Sequence, residues 1–255
     1  MMARWIPRAA VGLFALALLY PLSGLLASIG NWRWEPGVAT SAWESVRVSL
    51  GLTALAMAIV VLVGTPVSLY IARSRMRERF WWQGVLLISI LLPPLAIGIL
   101  LSIAFGPAAT AGRWIEQTGI RTTNSAFAFV LTQVYVSIGY YVLGAVAAFD
   151  SVPPMLEKQA ALLGQPTWKV FWRVTFPLTR LGLAVALSVA WVRALGEFGA
   201  VMVTAYHPSG MPVQLWVNLE SFGLPAVMPL LVIFLVTALP LPWAVHLLAQ
   251  RRTHV

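Results

Sequence analysis

The chain has 255 residues, 60% of them hydrophobic and only 10% charged, with a net charge of +9. This usage lies far from that of a soluble domain, and the lack of cysteine excludes disulfides and thiolate metal sites. The basic excess raises nucleic acid as a partner, a class that the placement of the charges then excludes.

A membrane helix needs about 20 apolar residues at a rise of 1.5 Å each. Six such runs follow one another, near 9–29, 48–72, 81–105, 125–148, 180–204 and 224–248. Their length excludes the alternating strands of about ten residues that build membrane β-barrels. No Gly/Ser linker, low-complexity tract or charge block divides them, so residues 1–255 are expected to form one all-α domain with six transmembrane helices.

Arg4 and Arg8 precede the first run. That run is longer than the apolar core of a signal peptide and lacks a clear small-x-small cleavage site at its end, so it is expected to stay as a span. The segment 30–46 carries Trp32, Trp34 and Trp43, and rings of this kind sit at the membrane–water interface; contact with an external partner is the other reading. The second run contains Pro66 and ends at a basic stretch, Arg73, Arg75, Arg77 and Arg79. Phe80, Trp81 and Trp82 are placed to anchor the third run, which carries Pro93, Pro94 and Gly98 at its middle. A proline removes a backbone donor and kinks its helix, which lipid tolerates only where protein or a cavity covers the freed carbonyls. The kink at Pro93–Pro94 suits either a translocation path or helix packing. Pro229, Pro240 and Pro242 interrupt the sixth run in the same way.

Between the fourth and fifth runs lies a polar interruption, DSVPPMLEKQAALLGQPTWKVFWRVTFP, residues 150–177. It reads as two short helical arms, the first from about Met155 to Leu163, broken at Gly164-Gln165-Pro166. Gly164 suits the positive φ of a helix C-cap, Pro166 cannot prolong the first arm, and Thr167 is placed to cap the second. Leu156, Ala160 and Leu163 share one face, with Glu157 and Lys158 on the polar side. An amphipathic helix on the lipid surface is one reading. Docking into a protein groove fits better, since the first arm holds no Trp or Phe and is weakly basic at most.

Lys158, Lys169, Arg173 and Arg180 cluster in or beside this interruption, and Arg251 and Arg252 follow the last run. With six alternating spans all of these share one side, and the other holds Arg33, Arg47, Arg113 and Arg121. The positive-inside rule places both termini and residues 150–177 in the cytoplasm. The basic excess is therefore a topology signal, and no nucleic-acid partner is expected.

Inside the fifth run, Arg193 and Glu197 are four residues apart and can pair on one helix face. Charges at this depth cost several kcal/mol unless paired or wet. Two readings fit, a polar element of a translocation path or a structural ion pair, and Gly196 and Gly199 favour close helix contact under both. His207, His246 and His254 are scattered and form no metal spacing, no Ser/His/Asp set is evident, and no G-x-x-x-x-G-K-[ST] phosphate loop occurs. The chain is not expected to be an enzyme or to hold a cofactor, and any nucleotide energy must come from another polypeptide.

The 150–177 segment resembles the EAA loop of binding-protein-dependent ABC importer permeases, whose pattern is Glu-Ala-Ala, three residues, Gly, nine residues, then Ile-x-Leu-Pro. Gly164 is followed at that spacing by Val174-Thr175-Phe176-Pro177. The start departs from the pattern, with Lys158 at the glutamate, Gln159 at the first alanine, Ala160 matching and Glu157 displaced by one. The resemblance covers nearly the whole chain. Residues 43–75 look like the first core span, and LLPPLAIGILL (91–101) and VRALGEFGAVMV (192–203) look like the molybdate/tungstate and sulfate/thiosulfate branch. It implies a type I importer permease fold in a prokaryotic inner membrane. The implied partners are a cytoplasmic ABC ATPase that carries the ATP and Mg, an extracytoplasmic solute-binding protein, a second permease copy and lipid. Leu156, Glu157, Lys158, Ala160, Ala161, Leu163, Gly164, Thr167 and Pro177 would form the coupling element seated on the ATPase. Pro93, Pro94, Arg193, Gly196 and Glu197 would line the translocation path or gate. A permease for another small solute and an ion-driven secondary transporter are the alternatives.

Overall fold

The structure is a computed structural model that describes residues 5–32 and 37–253, with side chains described over 10–32 and 37–248. Arg4, Arg33, Trp34 and His254 lie outside the described residues, as do the side chains of Arg8, Arg251 and Arg252. The described chain is helical throughout and contains no strand.

Helix α1 (Trp5–Ala27) is apolar on every side, and hardly any of its described side chains is even half-buried. Such a helix finds its apolar surroundings in lipid. Helix α2 (Val38–Arg73) starts ten residues before the expected span, just after Gly37. The loop expected over 30–46 is correspondingly shorter. The cause is a buried stripe at helical spacing, Val38, Ala42, Ser45, Ser49, Thr53, Ala56, Val60, Gly64, Ser68 and Ile71, which continues the span's inner face into the Trp-rich segment. At 1.5 Å per residue α2 is about 54 Å long and reaches well beyond the hydrocarbon at one end or both.

The third apolar run departs most from expectation. In place of one kinked span there are two helices, α3 (Met76–Leu91) and α4 (Pro94–Phe105), bent by 107°. Pro93 lacks an N–H and drives Leu92 into extended backbone (φ −63°, ψ 133°), while Pro93 is itself extended at ψ 140°. Two successive extended residues turn a corner where one proline would kink. Helix α5 (Thr110–Gln117) follows.

Helix α6 (Ala126–Asp150) is capped by the Ser125 hydroxyl, which accepts from the Ala128 N–H at 3.1 Å. It forms the centre of the bundle. Tyr141, Val142 and Phe149 pack against Ala56 and Val60 of α2, and against Leu183, Ala186 and Ala190 further along the chain. Helix α7 (Pro154–Leu162) and the short α8 (Thr167–Val170) make up the polar interruption. A π turn, Phe171–Thr175, joins α8 to α9 (Phe176–Leu195), so that helical backbone runs from Thr167 to Leu195. Close approach between α6 and α9 depends on glycine. A Cβ on Gly144 would lie 2.8 Å from Ala186 Cβ, and one on Gly182 2.6 Å from Ala148 Cβ. Small residues at such crossings are how membrane helices gain van der Waals contact.

The fifth run also breaks. Helix α9 ends at Leu195 and α10 (Gly199–Thr204) begins after three residues. Residues beyond it form α11 (Met211–Phe222), and the sixth run divides into α12 (Leu224–Ala238) and α13 (Pro240–Thr253), with Pro240 opening the latter. Among the described residues, five helices or helix pairs are long and apolar enough to cross a membrane, and the bent α3–α4 pair makes a sixth if it counts as one span.

Overpacking a close crossing costs about 1–3 kcal/mol. Gly144→Leu should therefore lower the unfolding temperature of the detergent-solubilised protein. Gly84→Leu, at a glycine with nothing within 4 Å, should leave it unchanged.

Candidate functional site

The polar interruption is attached to the spans by one charged cluster. Helix α7 has no buried residue, so apolar packing does not fix its position. Glu157, in its first turn, points inward to Arg73, the last residue of α2. Arg73 Nη2 donates to Glu157 Oε1 at 2.8 Å and Arg73 Nε to Oε2 at 2.9 Å. This two-pronged geometry suits a guanidinium and a carboxylate. Arg73 Nη1 also donates to the Phe149 carbonyl of α6 at 3.2 Å. The Thr175 hydroxyl donates to Glu157 Oε1 at 2.8 Å. One guanidinium and one carboxylate thus gather α2, α6, α7 and the root of α9.

Thr175 reaches Glu157 from the π turn. The Phe176 N–H bonds the Phe171 carbonyl, five residues back, just ahead of Pro177. A proline at that position would clash with the carbonyl four residues before it in a regular α-helix. The π turn, Phe171–Thr175, lies where that conflict falls. Pro177 therefore shapes the segment that carries Thr175. Burial alone would raise the Glu157 pKa, but hydrogen bonds from Arg73 and Thr175, with the Arg73 charge, hold it below the ordinary glutamate value. A second pair, Arg79 Nη1 to Asp150 Oδ1 at 3.0 Å, ties α3 to the end of α6 at the same end of the bundle. The basic stretch 73–79 and the interruption are hence neighbours in space.

Gly164 has φ +79°, the left-handed C-cap conformation expected of it, and no neighbour within 4 Å. Thr167 differs from expectation. Pro166 occupies the N-cap position with extended ψ of 153°, so Thr167 stands one place inside the helix and no side-chain cap is made. The Glu157 carboxylate faces the spans, while Leu162 and Leu163 are 87% and 81% exposed and Leu156 40%. Lys158 and Ala161 border a cavity of about 630 Å³ between α7 and the helices above it, lined by Leu69, Ala72, Gln165, Thr167 and Phe171 among others. Ala160 is half-buried.

The predicted gate residues fall at the two broken runs, and the breaks meet. A Cβ on Gly199 would lie 3.1 Å from Pro94 Cβ, and one on Gly98 2.8 Å from the Ala200 carbonyl, so α10 lies directly on the start of α4. Gly196 makes no such approach; its nearest neighbours are the Val192 carbonyl of its own helix and Phe234 at 3.9 Å. Arg193 pairs with Glu197 as the spacing predicts, yet Glu197 stands beyond the end of α9. Its other oxygen accepts from the Ala200 N–H at 2.7 Å and so closes the exposed start of α10. Glu197 is 1% exposed at its side chain and Arg193 24%, with the guanidinium 5.9 Å from the Tyr140 ring centroid. Removing one partner of such a pair costs about 3–5 kcal/mol.

Sequence reasoning missed Arg73, Thr175 and Gln133. Arg73 read only as a topology charge. Gln133 Nε2 donates to Thr53 Oγ1 at 2.9 Å and to the Ala194 carbonyl at 3.1 Å, covering an acceptor near the break. A lone glutamine inside an apolar run was the available signal for it. No group of three or more metal-ligating side chains exists among the described residues.

Residues 64–254 match the family described as binding-protein-dependent transport system inner membrane component. A probable molybdenum ABC transporter permease protein of Haloferax volcanii is 33% identical, covering 93% of this chain and 87% of that protein. A sulfate transport system permease protein of a Synechocystis strain is 26% identical over 74% of this chain and 70% of its own length. Among solved structures, a bacterial alginate ABC transporter in complex with an alginate-bound periplasmic protein superposes with a TM-score of 0.76 at 14% identity, covering 99% of this chain and 95% of that one. That last likeness establishes the fold.

With its folded-state pKa depressed, Glu157 contributes stability above the ordinary glutamate value of about 4.3. That contribution is lost as pH falls through the folded value. A spin label at Leu162→Cys, in a chain without native cysteine, should show constant α7 mobility from pH 8 to about 5 and rising mobility below about 4. Adding Glu157→Gln should give high mobility at every pH.

Proposed function

The chain belongs to the family of binding-protein-dependent transport system inner membrane components, and we propose that it is the permease subunit of an ATP-driven importer for a tetrahedral oxyanion. Molybdate or tungstate comes first and sulfate next, as the similarity to molybdenum and sulfate permeases suggests. The observation that carries the coupling part of this reading is α7. It is a short helix outside the spans, with leucines exposed and its only strong attachment at Glu157. That is the form of a handle for another protein. In this reading residues 150–177 and both termini are cytoplasmic, and α7 sits in a groove of a separate ATPase that hydrolyses the ATP. A binding protein delivers the anion from outside, and two permease copies enclose the path. Closure of the ATPases moves the α7 helices and rocks the spans between inward- and outward-facing states.

Anionic cargo is supported by the inventory of charge. Glu197 is the only carboxylate within the apolar runs, and Arg193 and the Ala200 N–H neutralise it. A cation path or a proton-driven transporter needs accessible acidic groups along its spans.

The test is reconstitution in proteoliposomes with the partner ATPase and binding protein. ATP-dependent uptake of labelled molybdate is expected, with competition from tungstate and weaker competition from sulfate. Uptake driven by an ion gradient without ATP would support a secondary transporter instead, and competition by a polyamine a cationic cargo. Gly164→Val, which places a β-branched residue at φ +79°, should reduce uptake more than tenfold with membrane insertion intact.

A further inference from the structure

We propose that Arg73 is the positioning residue through which movement of α7 reaches the transmembrane helices. The inference rests on the permease reading above and adds to it the physical link between handle and spans. A lever transmits displacement only if it is stiffly joined to its load, and α7 has few means of being joined. None of its residues is buried. The space between it and α2, α8 and the π turn is a cavity of about 630 Å³ instead of a packed interface. Pro153, with φ −58° and ψ 124°, breaks the helix between α6 and α7, so backbone hydrogen bonds do not carry one into the other. Beyond α7, the chain turns at Gly164, φ +79°, so no continuous helix carries α7 into α8 either.

Across that gap stands the ion pair. Arg73 holds both oxygens of Glu157, and its remaining donors go to the carbonyls of Phe149 at 3.2 Å and Val152 at 3.5 Å. Glu157 in turn receives Thr175 at the root of α9. A single point contact would let α7 pivot. Two parallel bonds from a planar guanidinium fix direction as well as distance, and the Thr175 bond gives the carboxylate a third support. The groups facing Glu157 are thus Arg73 from α2 and Thr175 from the π turn, with Lys158 beside it on α7. A displacement of α7 is imposed together on the ends of α2, α6 and α9. These three helices pack as one unit around Tyr141, Phe149 and Leu183. Arg73 touches no cargo; it acts through Glu157.

The test uses the complete transporter, with cysteine-free ATPase and binding protein, because this chain contributes no cysteine of its own. Uptake of labelled molybdate and ATP hydrolysis are measured together and expressed as uptake per ATP. In the Arg73→Cys, Glu157→Cys double variant, ATP hydrolysis and ATPase binding should persist while uptake per ATP falls at least tenfold. A bifunctional thiol reagent that spans the former ion pair should then restore most of the loss. Arg73→Lys keeps the charge without the fork and should give an intermediate fall, which decides the matter if the double variant does not accumulate. Unchanged uptake per ATP in these variants would overturn the proposal. So would loss of ATPase binding, which would assign the pair to docking, or a cross-linked protein that stays uncoupled. Failure of the permease reading has a different signature, since the unmodified chain would then show no ATP-dependent uptake.

Discussion

Arg73 and Glu157 make the bond on which the placement of α7 depends. Helix α7 buries none of its side chains, so it owes its place to two charge-assisted hydrogen bonds and one hydroxyl. An exposed ion pair is worth little, commonly below about 1 kcal/mol. This one is partly shielded, two-pronged and backed by main-chain carbonyls, and those features distinguish a strut from a surface contact. Bonds from Arg73 and Thr175 and the Arg73 charge outweigh burial and hold the Glu157 pKa below the ordinary glutamate value.

The membrane half obeys a different constraint. In lipid each backbone polar group must be satisfied within the protein, so a broken span is tolerated only where something covers the break. Apart from the division of the sixth run at Leu239, breaks fall at Pro93–Pro94 and at Gly196–Phe198, and these two cover one another. Gly98 and Gly199 let α10 lie against the start of α4, Glu197 takes the free N–H of Ala200, and Gln133 takes the carbonyl of Ala194. The result is an irregular, partly polar region set within regular helices.

How far the sequence foretold this depended on the range of each signal. Gly164 and the spacing to Pro177 are local, and the structure has both the left-handed turn and a helix disturbed just before the proline. The break at Pro93–Pro94 was legible as an interruption, but its 107° bend was not, since the angle depends on what α4 packs against. The Trp-rich segment hid the start of α2 because the exposed Trp43 and the buried stripe from Val38 to Ser49 share one stretch of chain. Arg193 and Glu197 were readable as a pair four residues apart, though not as a plug at the start of α10. Arg73 and Glu157 stand 84 residues apart, and periodicity carries no information over that distance. For the same reason the inward turn of Glu157 was invisible.

The central claim is that α7 and the spans move as one body when the ATPase acts. The distance between spin labels at Leu162 of α7 and Tyr70 of α2, both exposed, tests it directly in the assembled transporter with labelled chains diluted into unlabelled ones. One narrow distribution, the same with and without ATP in a preparation that imports its anion, is the predicted result. A distribution that shifts or broadens when ATP binds would show α7 swinging on its own hinges and would contradict the account.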